Sequence, residues 1–198
     1  MFYEVLDFME NLNNNDSIYT LNNIITFGKY NNIPINWKIK KIDKNSILLV
    51  CENIIELMPF DNVKNIWRES SLKKWLNQDF YNNCFNQDEK NHILSYYHYD
   101  GWYEKEGFFF TKNKFRSATN IDKVCLLSEY DCNLFFNTNN LRKKQMLLTN
   151  NSNTYSCWWL RSTPNYTNIH FVNKDGEIKS CSPNKKNIGV VPIICIEK

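Results

Sequence analysis

Alanine is all but missing from this 198-residue chain, Ala118 being the only one. Glycine and proline number five each, which excludes collagen-like and low-complexity designs. Among so few glycines no GxGxxG run occurs, so no nucleotide-phosphate cradle is expected. No apolar stretch approaches the roughly 18 residues of a membrane-spanning helix. The seven cysteines include no CxxC pair, and the tightest spacing, Cys125 to Cys132, does not supply the close pairs that zinc requires. His92, His98 and His170 lie far apart, with no HExxH pattern. A formal charge of +3 falls short of the basic footprint of nucleic-acid binders. Short runs such as Lys38-Ile39-Lys40-Lys41 and Arg142-Lys143-Lys144 read as solvated faces. No metal, no cofactor, no membrane and no nucleic acid is therefore expected. Met1 to Asn15 carries Glu4, Asp7 and Glu10 and no basic n-region, unlike a secretory leader. Cys51, Cys125 and Cys195 sit inside apolar runs as small hydrophobes. Reduced thiols in a cytoplasmic protein are the expectation.

Asparagine, by contrast, occurs 32 times, and lysine far outnumbers arginine. Asn, Lys, Ile, Tyr and Phe are residues of A/T-rich codons, so the bias of an A/T-rich genome explains the excess. It also weakens any binding argument built on asparagine alone. A 42% hydrophobic and 15% aromatic composition supports one folded domain with a substantial core.

Phe2, Val5, Leu6, Phe8, Met9 and Leu12 lie near helical spacing, and Asn13-Asn14-Asn15-Asp16 breaks the pattern. Residues 1–15 thus read as an amphipathic helix and linker, and 19–198 as the single main domain. Residues 24–30 and 33–39 read as a hairpin through Asn31-Asn32, with Ile35, Trp37 and Ile39 on one face. Residues 46–52 form a more central strand. Ser70 or Ser71 caps a helix ending near Asn77, followed by a short helical turn over Phe80 to Phe85. Residues 97–120, polar and aromatic, lack a sustained apolar period and read as loop with one short strand at 107–111. Asp122 to Ser128 is a buried strand or turn, Ser128 caps another helix, and a short helix is expected around Leu141 to Leu148. Strands return at 158–161, 169–173, 177–182 and 189–196, with Asp175-Gly176 as a hairpin signal. The fold class is α+β: strands at both termini enclosing two or more helices, with a loop-rich second half.

Five blocks in order resemble a bacterial family known only as a domain of unknown function. They are Phe27-Gly28-Lys29-Tyr30 with Ile35-Asn36-Trp37; Ile47-Leu48-Leu49-Val50; Trp67 with Ser70 to Asn77 and Asp79-Phe80-Tyr81; Asp122 to Ser128; and Trp158-Trp159-Leu160-Arg161-Ser162. The family usually closes on Gly-Val-Arg-Pro-Ala, whereas here Gly189-Val190-Val191-Pro192-Ile193 lacks the arginine. The element order more loosely resembles the C-type-lectin-like fold, including the variable proteins of diversity-generating retroelements and the formylglycine-generating enzyme group. That resemblance implies terminal strands paired with one another, two packed helices, and a binding surface in the loop-rich half; it fixes no function.

No catalytic constellation is recognisable. The Trp158–Ser162 block reads either as core, with Arg161 locked to a buried carboxylate or carbonyls, or as Trp159 and Arg161 presented to a ligand. Asn165, Tyr166, Asn168 and His170 follow Pro164 as an exposed loop with adaptable recognition chemistry. The stretch Tyr96 to Tyr103, with Trp102 and Tyr103, reads as a stacking platform or as core. Formylglycine-type oxidation is disfavoured by the fourteen-residue separation of Cys181 and Cys195, and calcium-dependent sugar binding by the lack of carboxylates around Pro164. The leading expectation is a non-catalytic module that binds an unidentified protein or small molecule through Trp102, Tyr103, Trp159, Arg161, Asn165, Tyr166, Asn168 and His170. The alternatives are an enzyme joining Arg161 to a cysteine or histidine by folding, Cys157 or Cys181 with His98 or His170, and a component of a mobile-element or conflict system docking through its N-terminal helix.

Overall fold

A computed structural model describes residues 19–106, 112–147 and 154–198; the expected N-terminal helix and the short strand at 107–111 fall outside the described residues. The chain begins with a hairpin, β1 (Ile24–Tyr30) and β2 (Ile33–Ile42), and Asn31 and Asn32 turn it with φ of 49° and 64°. Asparagine tolerates that left-handed geometry, which matches the twist of the strands. Ile35, Trp37 and Ile39 are fully buried, as the alternation requires. A bulge interrupts β1 between Thr26 and Lys29, with Gly28 at φ 73°. A Cβ there would stand 2.6 Å from the Phe85 ring, so glycine is needed for space as well as for φ. β3 (Ser46–Cys51) follows, with five of its six residues buried.

Ser70 accepts the amide of Lys73 and starts α1 (Ser71–Trp75). The rod does not stop near Asn77. It continues through a π-helical turn, Leu76–Phe80, into α2 (Tyr81–Cys84). Asn77, read from sequence as a terminator, is a clamp: its amide donates to the Lys73 and Val124 carbonyls and its oxygen accepts the amides of Lys123 and Val124. A capping box of Asn86 and Glu89 opens α3 (Gln87–His92), which runs into β4 (Ile93–Leu94).

Residues 97–120 are not a loop. β5 (Tyr96–Glu106) and β6 (Lys112–Asp122) form a long antiparallel hairpin, paired from Tyr96↔Asp122 to Glu106↔Lys112. After it come β7 (Val124–Cys125), α4 (Glu129–Phe135) with a Ser128–Asp131 capping box, and α5 (Asn139–Arg142), which ends well short of Leu148. β8 (Lys144–Gln145) pairs with β9 (Tyr155–Ser156). β10 (Trp158–Trp159), β11 (Ile169–Val172) and β12 (Ile178–Cys181) make a three-stranded sheet whose β11–β12 turn carries Gly176 at φ 84°.

The last strand, β13 (Ile193–Glu197), inserts into the middle of the main sheet. One edge pairs with β3, and the other is shared end to end by β7 and β4, giving an antiparallel sheet in the order β1-β2-β3-β13-β4. The fold is thus mixed α+β, dominated by antiparallel strands. Trp37, Trp67, Trp158, Trp159, Phe60, Phe80 and Phe136 are its largest fully buried side chains. Val191, where the family's arginine is expected, is likewise fully buried. All seven cysteines stand unpaired.

Candidate functional site

β5 and β6 pair with each other alone among the described residues, so something other than a sheet must hold the hairpin against the body. Period two turns His98, Asp100, Trp102, Asn120 and Asp122 inward, and all five are buried. Four of these are polar, which is why an apolar periodicity misses the strands. Asp122 accepts Trp67 Nε1 (2.9 Å) and His98 Nε2 (2.7 Å) on one oxygen and pairs Lys73 Nζ (2.9 Å) on the other. Asp100 accepts Arg161 Nε at 2.9 Å and the Asn120 amide at 2.8 Å. Arg161 Nη1 reaches on to the Leu126 carbonyl (2.7 Å) and to Asp131 (3.0 Å). His98 Nδ1 lies 3.3 Å from Asp100, an ion-pair distance without good hydrogen-bond alignment.

Three carboxylates thus face Arg161, Lys73 and His98, and the set is neutral only when His98 is protonated. Burial alone would push the His98 imidazole down, but Asp100 and Asp122 outweigh it and hold its pKa above the usual value. Burial would raise Asp122 and Asp131; the His98, Trp67 and Lys73 donors on the first, and Arg161 and Ser128 on the second, hold both below the usual range.

The hairpin's outer face carries the opposite chemistry. Tyr97 stands opposite Ile121 and Tyr103 opposite Phe115, whose rings meet edge-on at 5.3 Å. The Phe115 ring lies over Gly101, where a Cβ would collide with it at 2.2 Å. Tyr97, Tyr99, Phe115 and Ile121 are 66%, 67%, 57% and 56% exposed. Four large apolar side chains on one face of a two-stranded ribbon make a contiguous exposed stripe rather than scattered surface residues.

Trp102 lies on the inner face with the Arg68 guanidinium 4.9 Å from its ring centroid, and Tyr103 is half-buried. Trp159 is core, its indole donating to the Met58 carbonyl at 2.9 Å. Arg161 is 5% exposed, with its Nε and Nη1 engaged in the network. Thr163 Oγ1 donates to the Gly101 carbonyl, tying the segment after Arg161 to the hairpin. The Asn165 side-chain oxygen accepts Thr167 N, Thr167 Oγ1 and Asn168 N in a tight turn, and the Asn65 amide anchors the backbone carbonyls of Asn165 and Asn168. Tyr166 is 40% exposed. His170 Nδ1 stands 3.2 Å from Glu129, and burial pulls its pKa down despite that carboxylate. Folding therefore joins Arg161 to His98 through Asp100, at side-chain exposures of 4% and 1%. The His170 ring faces Glu129, not a cysteine. Burial pushes the Cys181 thiol up to about 11, away from a nucleophilic thiolate. Sequence reasoning named the aromatic run but not its division: the signal was alternation of tyrosine with His98, Asp100 and Trp102, continued by Phe115 and Ile121 on the opposite strand.

The family model described as a domain of unknown function, DUF6273, matches residues 44–198. The chain belongs to that family. The DUF6273 match begins just before β3, so the β1–β2 hairpin precedes it, whereas the charge network, the exposed ribbon and the Trp158–Ser162 block all lie inside it. Comparison with curated proteins and with solved structures gave no match.

Proposed function

We propose that this DUF6273 domain is a non-catalytic, lectin-like binding module that docks a protein partner on the outward face of the β5–β6 ribbon. The observation that carries the reading is the exposed stripe Tyr97, Tyr99, Phe115 and Ile121 on a hairpin fixed from behind by buried charge. Leaving four large side chains more than half exposed forfeits apolar burial, which a partner surface would recover in part. Tyrosines on a rigid support supply contact area at little cost in conformational entropy. The lectin-like comparison is supported by the mixed α+β make-up, short helices beside an antiparallel sheet, but not by strand order. β13 pairs with β3 in mid-sheet while β1 pairs with β2, so the terminal strands do not meet as that resemblance implies. We take the compartment to be cytoplasmic, in keeping with the unpaired thiols.

The test is affinity capture from the native cell with the wild-type chain and with Tyr97→Ser/Tyr99→Ser/Phe115→Ser. Loss of a specific partner is expected, with a melting temperature lowered by no more than about 10 °C. Retention of every wild-type partner by the triple variant would remove this surface from the account.

A further inference from the structure

A cleft of about 740 Å³, with no β5–β6 residue in its described lining, opens between the Asn31-Asn32 turn of the first hairpin and the π-helical turn. Its size lies within the usual range for small-molecule sites. Phe80 and Phe85 form the floor, with ring centroids 5.8 Å apart, and Tyr30 and Trp75 flank Phe80 at 6.1 and 5.6 Å. The π turn makes this grouping. In a regular α-helix positions five apart diverge by about 140°, because each residue turns the helix by roughly 100°. The wider turn over Leu76–Phe80 brings Trp75 and Phe80 together on one face. Such turns recur at functional sites. On the opposite wall the bulge at Gly28 and the left-handed Asn31-Asn32 pair set the edge. Three local departures from regular backbone thus meet at one cavity.

The electrostatics select among ligand classes. Asp79 stands exposed at the mouth, on the π turn itself. Glu89 is buried in the wall; its oxygens accept the amides of Gly28 and Asn86, both at 2.8 Å, and no ion pair neutralises it among the described residues. The Tyr30 hydroxyl donates to Glu56 at 2.7 Å, a bond that makes its ring a better π donor. Lys29, exposed, is the one basic group in the described lining. An anion would therefore meet two carboxylates and one amine, and the nearby start of α3 is already filled by its own capping box. Covalent capture is disfavoured, since burial pushes the Cys84 thiol up to about 12.

We propose that this cleft binds a compact organic cation, an alkyl- or quaternary-ammonium group, seated against Trp75, Tyr30 and Phe80 with Asp79 as counter-charge. Ring faces attract such cations electrostatically, most strongly where water is excluded, and the indole is the best of them. The site lies apart from the ribbon and stands independently of the protein-docking reading.

The probe is choline, compared with its neutral isostere 3,3-dimethylbutan-1-ol, titrated into the full chain by NMR. Saturable choline binding is expected, about tenfold tighter than the isostere. Trp75→Leu should reduce choline affinity about tenfold, and Asp79→Asn, at an exposed position, several-fold without a change in melting temperature. The Tyr97→Ser/Tyr99→Ser/Phe115→Ser variant should bind choline as wild type does, which separates this site from the docking surface. Equal affinity for choline and the isostere would reveal simple apolar filling and overturn the proposal. So would absence of choline binding, or choline binding indifferent to both Trp75→Leu and Asp79→Asn.

Discussion

In the β1–β2 hairpin the inward side chains are Ile35, Trp37 and Ile39, and the outward ones are Asn36, Lys38 and Lys40; in the β5–β6 hairpin the inward set is His98, Asp100, Asn120 and Asp122 with Trp102, and the outward set is Tyr97, Tyr99, Phe115 and Ile121. The first hairpin is held chiefly by dry packing, which is non-directional, and its half-buried Lys40, pushed down to about 8 by burial, relieves rather than weakens the hairpin as it deprotonates. The second is held by charges that must be desolvated together and balanced, and it leaves its apolar side to the solvent. Burying ion pairs is seldom the most stable solution for a core. What it gives here is a fixed register for a ribbon with no neighbouring strand among the described residues, and an exposed outer face.

The two hairpins should therefore fail differently. Trp37→Ala removes a fully buried indole next to the central strand, and is expected to cost about 3–5 kcal/mol in a global denaturant melt. Arg161→Ala removes the guanidinium shared by Asp100 and Asp131, leaving them to His98, Asn120 and Ser128, with a penalty of up to about 3–5 kcal/mol. That loss should localise, with limited proteolysis cutting between residues 97 and 121 while the main sheet persists. Equal protease resistance of wild type and Arg161→Ala would show that the ribbon is held by something else.

Smaller, and more specific, is the pH dependence. His98 titrates above its usual value in the folded state, so its stabilisation is complete below about pH 6.5 and is lost as pH rises through the folded value. Once neutral, His98 turns a lone pair toward a carboxylate on one side or the other. Asp122 and Asp131 titrate below theirs, so their contribution is present above about pH 3.9 and disappears as pH falls through the folded values. The ribbon should be most firmly docked between those limits, and His98→Gln should flatten the alkaline side of the profile in pH-dependent melts. Least of all, Tyr97→Ser and Tyr99→Ser are each expected to change stability by about 0.5 kcal/mol or less in denaturant melts, because these side chains face water, and Phe115→Ser by about 1 kcal/mol, for its ring contact with Tyr103.

The same contrast decides what the sequence discloses. Ile35, Trp37 and Ile39 announce a strand because their alternation is written in hydrophobicity, and Asn31-Asn32 and Asp175-Gly176 announce turns through residues that accept positive φ. The β5–β6 alternation is just as regular but is written in the opposite polarity, so a hydrophobic reading dissolves it into loop. Arg161 beside two tryptophans was legible as a lock; its partners were not, because Asp100 lies 61 residues away and only the hairpin brings it close. Asn77 looked like a helix stop because its four hydrogen bonds to Lys73, Lys123 and Val124 are made in space. The cleft was silent for a related reason: its walls come from residues 29–32 and 75–89, and the π turn that aligns Trp75 with Phe80 has no local sequence signal.

The most direct test of a charge-held ribbon is amide hydrogen exchange, corrected to protection factors, for β5–β6 and β1–β2 at pH 6 and pH 9. The expected result is a fall in β5–β6 protection at the higher pH, absent in His98→Gln, with no such fall in β1–β2, where loss of the half-buried Lys40 charge acts in the opposite direction. Parallel behaviour of the two hairpins, or a β5–β6 ribbon equally protected at both values, would contradict it.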